Sequence, residues 1–309
     1  MTDILLVDVD SQIPNLALMQ LSAWHKSKGD AVGFNTPDPQ RVYVSCIFQK
    51  NGTMVSGIPK LYPDADVVLG GSGISLDTWL PEAARKIPPD YDLYPSTYSQ
   101  GFTTRGCIRK CPFCIVPKKE GKLQRWQHPR DFHDERFSTI MLMDNNLLAD
   151  RAWFYTVTDW ILQENLSVIE HGMDIRLLTP NIAERLSAMT FDKPMKFAFD
   201  SPKDRDAVIN GINLLKAAGI DVKRKALFYV LVGYDTTQDE DLQRCNLLKE
   251  HGATPFVMPY KRTPWIRRLI SWANRPWHFW GCDFNDFSLT IRKPKTKIAK
   301  NTLEDFECR

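Results

Sequence analysis

The chain is short of several things, and each shortage removes a class of protein. It has no run of about eighteen apolar residues, so a helix spanning a membrane is excluded on length. It shows no charged leader followed by an apolar stretch and a cleavage site, and its cysteine count, seven, is odd. Both features point to a reducing, cytoplasmic setting in which disulfides are not expected. Charge of one sign is also scarce: 40 Lys and Arg against 37 Asp and Glu leave a formal +3, too little to argue for nucleic acid by amount alone. No internal repeat is visible. What remains, 309 residues with 43% hydrophobic and 25% charged side chains, is the composition of a globular chain with room for one large or two modest domains.

One further shortage is the most informative. Cys107, Cys111 and Cys114 stand in the run Thr104-Arg105-Gly106-Cys107-Ile108-Arg109-Lys110-Cys111-Pro112-Phe113-Cys114, and no fourth cysteine joins them. A closed structural zinc site takes four protein ligands in a tetrahedron, whereas an iron–sulfur cube held by three thiolates leaves one iron open to bind something else. An open iron implies chemistry. The alternative is a zinc knuckle or a chance cluster of buried cysteines. Cys46, Cys245 and Cys282 read as small buried hydrophobes and Cys308 as a free tail thiol. Cys282 and Cys308 are also the candidates for a radical partner or an auxiliary ligand, although isolated cysteines give no grounds for a second cluster.

With its aromatic residue, Phe113, just before the last cysteine, this loop resembles the motif of the radical S-adenosylmethionine (SAM) enzymes. The resemblance covers the chain from about Ile4 to Tyr260. It implies that Cys107, Cys111 and Cys114 hold a 4Fe–4S cluster whose fourth iron is chelated by the amino and carboxylate groups of SAM. It also implies an electron donor such as flavodoxin or ferredoxin, cleavage of SAM to a 5′-deoxyadenosyl radical, and removal of a hydrogen from a substrate. Neither the substrate nor a catalytic residue acting on it is legible.

Apolar and β-branched runs at Ile4–Val9, Val42–Phe48 and Ala65–Gly71, with a helical pattern from about Asn15 to Gly29, predict a small parallel, doubly wound unit over residues 1–80. Its ligand edge would be the loops after the strands: 8–13, 45–48 and 70–75. The order of parts resembles radical SAM enzymes with an N-terminal cobalamin-binding domain, through Gly70-Gly71-Ser72-Gly73 and Pro89-Asp90-Tyr91. The usual Asp-x-His-x-x-Gly of such domains is replaced by Asp8-Val9-Asp10-Ser11-Gln12-Ile13, which has no imidazole for cobalt. A retained scaffold is therefore preferred over bound cobalamin. His25 reads as a surface or packing residue. Residues 81–97, rich in proline, aspartate and tyrosine, predict a linker.

Between residues 98 and 260 the chain alternates strand and helix. Strands are expected at Thr139–Met143, Ser167–Glu170, Lys196–Phe199, Ala226–Val232 and Pro255–Met258, after one leading into Cys107. Helical patterns fall at 149–165, 180–189, 204–218 and 239–251. Right-handed crossovers would curl these units into a partial (β/α)6 barrel, with the site at the C-terminal strand ends. The overall class is α/β: a Rossmann-like unit, a partial barrel and an extension over 261–309.

The resemblance then places SAM contacts at those ends. Asp144-Asn145-Asn146 stand where the family holds the SAM amino group, although they also suit a helix N-cap. Asp174 is a candidate for the ribose hydroxyls and Arg176 for the carboxylate, with a surface Asp–Arg pair as the alternative. Asp200 is placed near SAM or substrate. Leu231 and Gly233 resemble the segment that packs on adenine, with an ordinary strand end as the alternative, and Met258 lies where the family contacts adenine through backbone.

Past Tyr260, cations such as Arg262, Arg267 and Arg268 interleave with Trp265, Trp272, Trp277, Phe279 and Trp280, and Arg292 to Lys300 is basic. This is compatible with a nucleotide or nucleic-acid substrate stacked on aromatics, or with a terminal helix packed on the barrel and a solvated tail. Two readings of a different kind stay open: a cobalamin-dependent radical SAM methyltransferase, and a non-enzymatic, zinc-stabilised nucleic-acid-binding module.

Overall fold

The structure, a computed structural model, describes residues 1–288. Cys308 and the basic stretch from Arg292 to Lys300 lie outside the described residues. The protein is mixed α/β with parallel sheets.

The first sheet comprises β1 (Asp3–Asp8), β2 (Ala31–Gly33), β3 (Arg41–Ser45) and β4 (Asp66–Gly70), in the order β2-β1-β3-β4 with every pairing parallel. Strand alternation splits its apolar residues between two cores. Ile4, Leu6 and Tyr43 meet Leu18 and Leu21 of helix α1 (Leu16–Lys26) on one face. Leu5, Val42, Val44 and Cys46 meet Val55 on the other, where the short helices α2 (Gly52–Val55) and α3 (Ile58–Leu61) lie. A sheet buried on both faces needs uninterrupted apolar strands, which is how β1 and β3 read. β2 was not expected, because three half-buried residues carry no such run. His25 is buried and joins Asp30 at 2.7 Å to the Tyr43 hydroxyl at 3.1 Å, a packing role.

The proline-rich stretch after β4 is stitched into both flanks. Asp90 accepts from Ser22 Oγ and Lys26 Nζ on α1, each at 2.6 Å. The Tyr91 hydroxyl accepts from the Gln100 amide at 2.9 Å and donates to the Phe132 carbonyl at 2.7 Å.

The second half begins with β5 (Ser99–Gly101), followed by a short antiparallel pair, β6 (Thr104–Arg105) and β7 (Gln124–Arg125), with helix α4 (Val116–Lys119) in the loop between them. The chain then runs through β8 (Thr139–Leu142), α5 (Arg151–Gln163), β9 (Ser167–Glu170), α6 (Pro180–Ala188), β10 (Thr190–Phe191), β11 (Met195–Ala198), α7 (Arg205–Ala217), α8 (Val222–Lys225), β12 (Ala226–Val232), α9 (Gln238–Glu250) and β13 (Thr254–Pro259). Two parallel sheets result, β10-β9-β8-β5 and β11-β12-β13, joined by a single parallel bridge between Met173 and Phe197. Leaving aside the two-residue β10 at the far edge of the former sheet, β5, β8 and β9 are followed in the chain by β11, β12 and β13 of the latter, all parallel within their sheets. Met195, Phe197, Phe228, Val230 and Val232 point into the helix-covered core, leaving the alternate residues on the opposite face.

Helices α10 (Pro264–Ala273) and α11 (Pro276–Gly281) close this half. Trp272 and Phe279 are fully buried in the core, and Trp265 and Trp280 pack against it. Only Trp277 stands out, 70% exposed. The tryptophans near the C-terminus are therefore mostly spent on packing. Cys282 is likewise a packing residue, whose carbonyl accepts from Trp272 Nε1 at 3.0 Å and Lys249 Nζ at 2.9 Å.

Candidate functional site

The cysteine loop is an excursion from a clasp. Thr104 pairs with Arg125 and Arg105 with Gln124, which closes the chain around residues 106–123. Gly106 follows the clasp with φ +78°, and a Cβ there would sit 2.2 Å from the Lys122 carbonyl oxygen, so the closure requires glycine. The Cys114 amide donates to the Cys111 carbonyl at 3.0 Å, and the Arg109 amide donates to Cys107 Sγ at 3.3 Å. All three thiols are half-buried. Burial raises the Cys111 thiol, followed by the charges of Asp200, Cys114 and Cys107, so the three sulfurs and Asp200 act on one another. Among the described residues no group of three or more His, Cys, Asp or Glu is arranged as a preformed metal site. The thiols are neighbours in one loop rather than a finished ligand set. As a donor set, three half-buried soft thiols, with a backbone N–H already directed at one sulfur, would suit an iron–sulfur cluster once deprotonated.

Asp144, Asn145 and Asn146 brace this loop against the strand ends. The Asp144 carboxylate is 1% exposed and accepts from the Thr103 amide at 3.0 Å, the Thr103 hydroxyl at 2.7 Å, the Thr104 amide at 2.6 Å and the Thr104 hydroxyl at 2.5 Å. Burial holds this carboxyl above its ordinary range, a shift those four donors oppose. Asn145 Nδ2 donates to Glu120 at 2.8 Å within the loop, and Asn146 Oδ1 accepts from the Asp174 amide at 3.1 Å. The N-cap alternative for these residues is corrected: Asp150 caps α5, accepting from the Trp153 amide at 3.0 Å, because it is the residue directly before the helix.

Beyond β9, Asp174 lies between two guanidiniums. Arg109 of the cysteine loop reaches its Oδ2 at 2.7 Å and Arg176 its Oδ1 at 2.6 Å, while Arg176 also meets Asp204 at 3.0 Å. Burial pushes the Asp174 carboxyl up, but its hydrogen bonds to Arg176 and Arg109 outweigh that and hold it below the usual carboxylate range. In place of the surface pair offered as the alternative, a buried carboxylate is clamped between two partly exposed guanidiniums, tying the cysteine loop to the segment after β9. Asp200 follows β11, and burial raises its carboxyl. Phe113 meets Tyr234 edge-on at 5.3 Å, and Tyr234 meets Tyr260 at 4.8 Å, an aromatic run from the cysteine loop to the ends of β12 and β13. Gly233 has φ +71°, and a Cβ would meet Ile266 at 2.7 Å, so its glycine answers to backbone and packing. The Leu231 carbonyl accepts from Arg244 at 2.7 Å, and Met258 is 42% exposed at the same edge.

Three further groups stand out, the second of them along the ligand edge expected from the loops 8–13, 45–48 and 70–75. Arg244, 2% exposed, donates to the Phe199 carbonyl at 2.8 Å as well as to Leu231 and Asp241, knitting the ends of β11 and β12; its only trace in the sequence is the Asp241–Arg244 spacing on α9. The second is a cavity of about 880 Å³ between the first sheet and the start of the second half, lined by Asn15, Ser45 and Gly71 on one side and Gln100, Phe102 and Arg105 on the other. Arg105 lies over Phe102 at 4.0 Å and pairs with Glu120 at 3.2 Å. Asp10, in the stretch that lacks the cobalt-ligating histidine, accepts from the Ile47 amide at 2.7 Å, the Phe48 amide at 2.9 Å and Asn51 at 2.9 Å. No histidine lines the cavity. These residues do not fit a cobalamin held by a protein imidazole.

The third group is Glu170, His171, Lys196 and Tyr229. Glu170, 1% exposed at the end of β9, accepts from the Lys196 amide at 2.5 Å, while its Oε2 has no partner. Burial pushes its carboxyl up to about 7, against the opposing pull of Lys196. A carboxyl whose folded value is raised stabilises the fold fully below its unfolded value near 4.5, and that contribution is lost as pH rises toward 7. Glu170→Gln is therefore expected to gain about 2–3 kcal/mol on the wild type between pH 4.5 and 8 in urea unfolding. Parallel curves for the two proteins would show that Glu170 ionises freely.

No protein-family model matches this chain, and no curated protein matches it by sequence.

Proposed function

We propose that the protein is a radical SAM enzyme, its second half a partial (β/α)6 barrel and its first a cobalamin-binding-like scaffold without bound cobalamin. The observation that carries this reading is the three-thiol loop, clasped at its base and tied through Arg109–Asp174 to the C-terminal strand ends of two adjoining parallel sheets. A 4Fe–4S cluster on Cys107, Cys111 and Cys114 would deliver one electron to SAM, releasing methionine and a 5′-deoxyadenosyl radical that takes hydrogen from the substrate. Around it, Arg176 and Arg109 offer the cations for the SAM carboxylate, with Asp174 fixing their orientation. Asp200, whose charge acts on the Cys111 thiol, is assigned to the SAM amino group, since the carboxylate of Asp144 is already spent on Thr103 and Thr104. Phe113, Tyr234, Leu231 and Met258 supply the apolar edge for adenine. An external reductant such as flavodoxin or ferredoxin completes the set.

A nucleic-acid-binding zinc module has weaker support, because the described tryptophans near the C-terminus are mostly packed. Anaerobic reconstitution separates the two. The expected result is about four irons per chain and 5′-deoxyadenosine from SAM on reduction. Zinc without iron, or SAM left intact, would overturn the proposal.

A further inference from the structure

Along β9, β11, β12 and β13 the side chains that do not enter the helix-covered core share the opposite face. Ile169 and His171, Lys196 and Ala198, Tyr229 and Leu231, and Phe256 and Met258 alternate with core residues such as Val168, Phe197, Val230 and Val257. Most are half-buried, and Met258 is exposed, whereas their neighbours in the core are closed to solvent. This apolar face runs down from the strand ends that carry Asp174, Asp200 and Gly233, so that Leu231 and Met258, given to adenine above, border its upper rim and Lys196, Tyr229 and Phe256 lie deeper. Its polar groups are few and close together. Lys196 Nζ donates to the Glu170 carbonyl and stands 3.7 Å from Glu170 Oε1, too far for a hydrogen bond. The Lys196 charge reaches His171, whose imidazole is lowered first by burial and then by that charge. Tyr229 is raised by burial and then by Glu170.

We infer that this face is the substrate site, and that its substrate is a small molecule with an apolar body and one anionic oxygen group, carboxylate or phosphate, seated on Lys196. The inference rests on the radical SAM reading for what happens to the molecule, but not for its binding. An ammonium has three donors, and Lys196 spends one on the Glu170 carbonyl. The nearest carboxylate is Glu170, which is buried, lacks a partner at Oε2 and holds its proton into the neutral range, so it is a poor counter-ion there. A face that is apolar except for one under-neutralised cation and two neutral hydrogen-bonding groups, His171 and Tyr229, recognises an anion by charge and the rest by burial.

Calorimetric titration of the full chain, with and without a reconstituted cluster, tests this with phenyl phosphate, phenylacetate and the neutral benzyl alcohol. At least one anion is expected to bind at concentrations up to about 10 mM, and Lys196→Met to weaken it about tenfold or more while Lys196→Arg largely restores it. Which anion binds tells phosphate from carboxylate. If Lys196→Met does not fold, protection of Lys196 in the wild-type protein from acetylation, read by mass spectrometry, gives the same answer. The inference is overturned if neither anion binds, if benzyl alcohol binds as well as the anions, or if Lys196→Met binds unchanged. Because binding is read without turnover, failure here is distinct from failure to bind iron or cleave SAM.

Discussion

Asp144→Ala is expected to cost about 3–5 kcal/mol of folding stability, read by urea or thermal denaturation, and to lower iron uptake on reconstitution in proportion. Two effects oppose each other. Removing a buried carboxylate relieves its desolvation, which favours the variant. Against that, the change orphans two amides and two hydroxyls, from Thr103 and Thr104, in a site closed to water. Each buried donor left unpaired costs about 1–3 kcal/mol, so four of them outweigh one desolvation gain. Asp144→Asn is expected to recover little, because its amide N–H₂ would face donors. The iron effect follows from position: Thr104 opens the β6–β7 clasp that closes the cysteine loop. A loss under about 1 kcal/mol would show that the threonines find other acceptors.

The second large effect concerns Cys111. Cys111→Ala is expected to abolish both the 4Fe–4S cluster and the formation of 5′-deoxyadenosine, while leaving the unfolding free energy of the metal-free chain within about 1 kcal/mol of the wild type. Its thiol is half-buried and makes no hydrogen bond among the described residues, so the fold has little to lose. A three-thiolate site has everything to lose, because two cysteines cannot hold a cube with one iron left open. Cys245→Ala makes the contrast: that thiol is closed off in the core, where burial raises it to about 12, so its loss is expected to cost stability and spare the chemistry. Intact turnover in Cys111→Ala would remove the cluster from the account.

Much of the architecture was legible because apolar runs and helix periods are local. β12, seven residues alternating between core and open face, lies where Ala226–Val232 was expected, and α6 starts at the expected Pro180. Elements that were missed are those with no such pattern. β2 and β10 have three and two residues, and β7 reads Gln-Arg, a polar pair that becomes a strand only because the loop between it and β6 closes. The candidate site was legible as a motif but not as a set of partners. Asp174 and Arg176 are two residues apart, so their pairing was foreseeable; that Arg109 completes the clamp from 65 residues away was not. Glu170 and Lys196 are ordinary residues in sequence and become unusual only where β9 and β11 diverge and a side chain takes the place of a strand partner.

The central claim is that three thiolates leave one iron free for SAM. Electron paramagnetic resonance of the reduced, reconstituted protein, recorded with and without SAM, tests it most directly. The account predicts that SAM shifts the cluster signal, since it binds the iron that Cys107, Cys111 and Cys114 do not fill. A cluster signal unchanged by saturating SAM would contradict it.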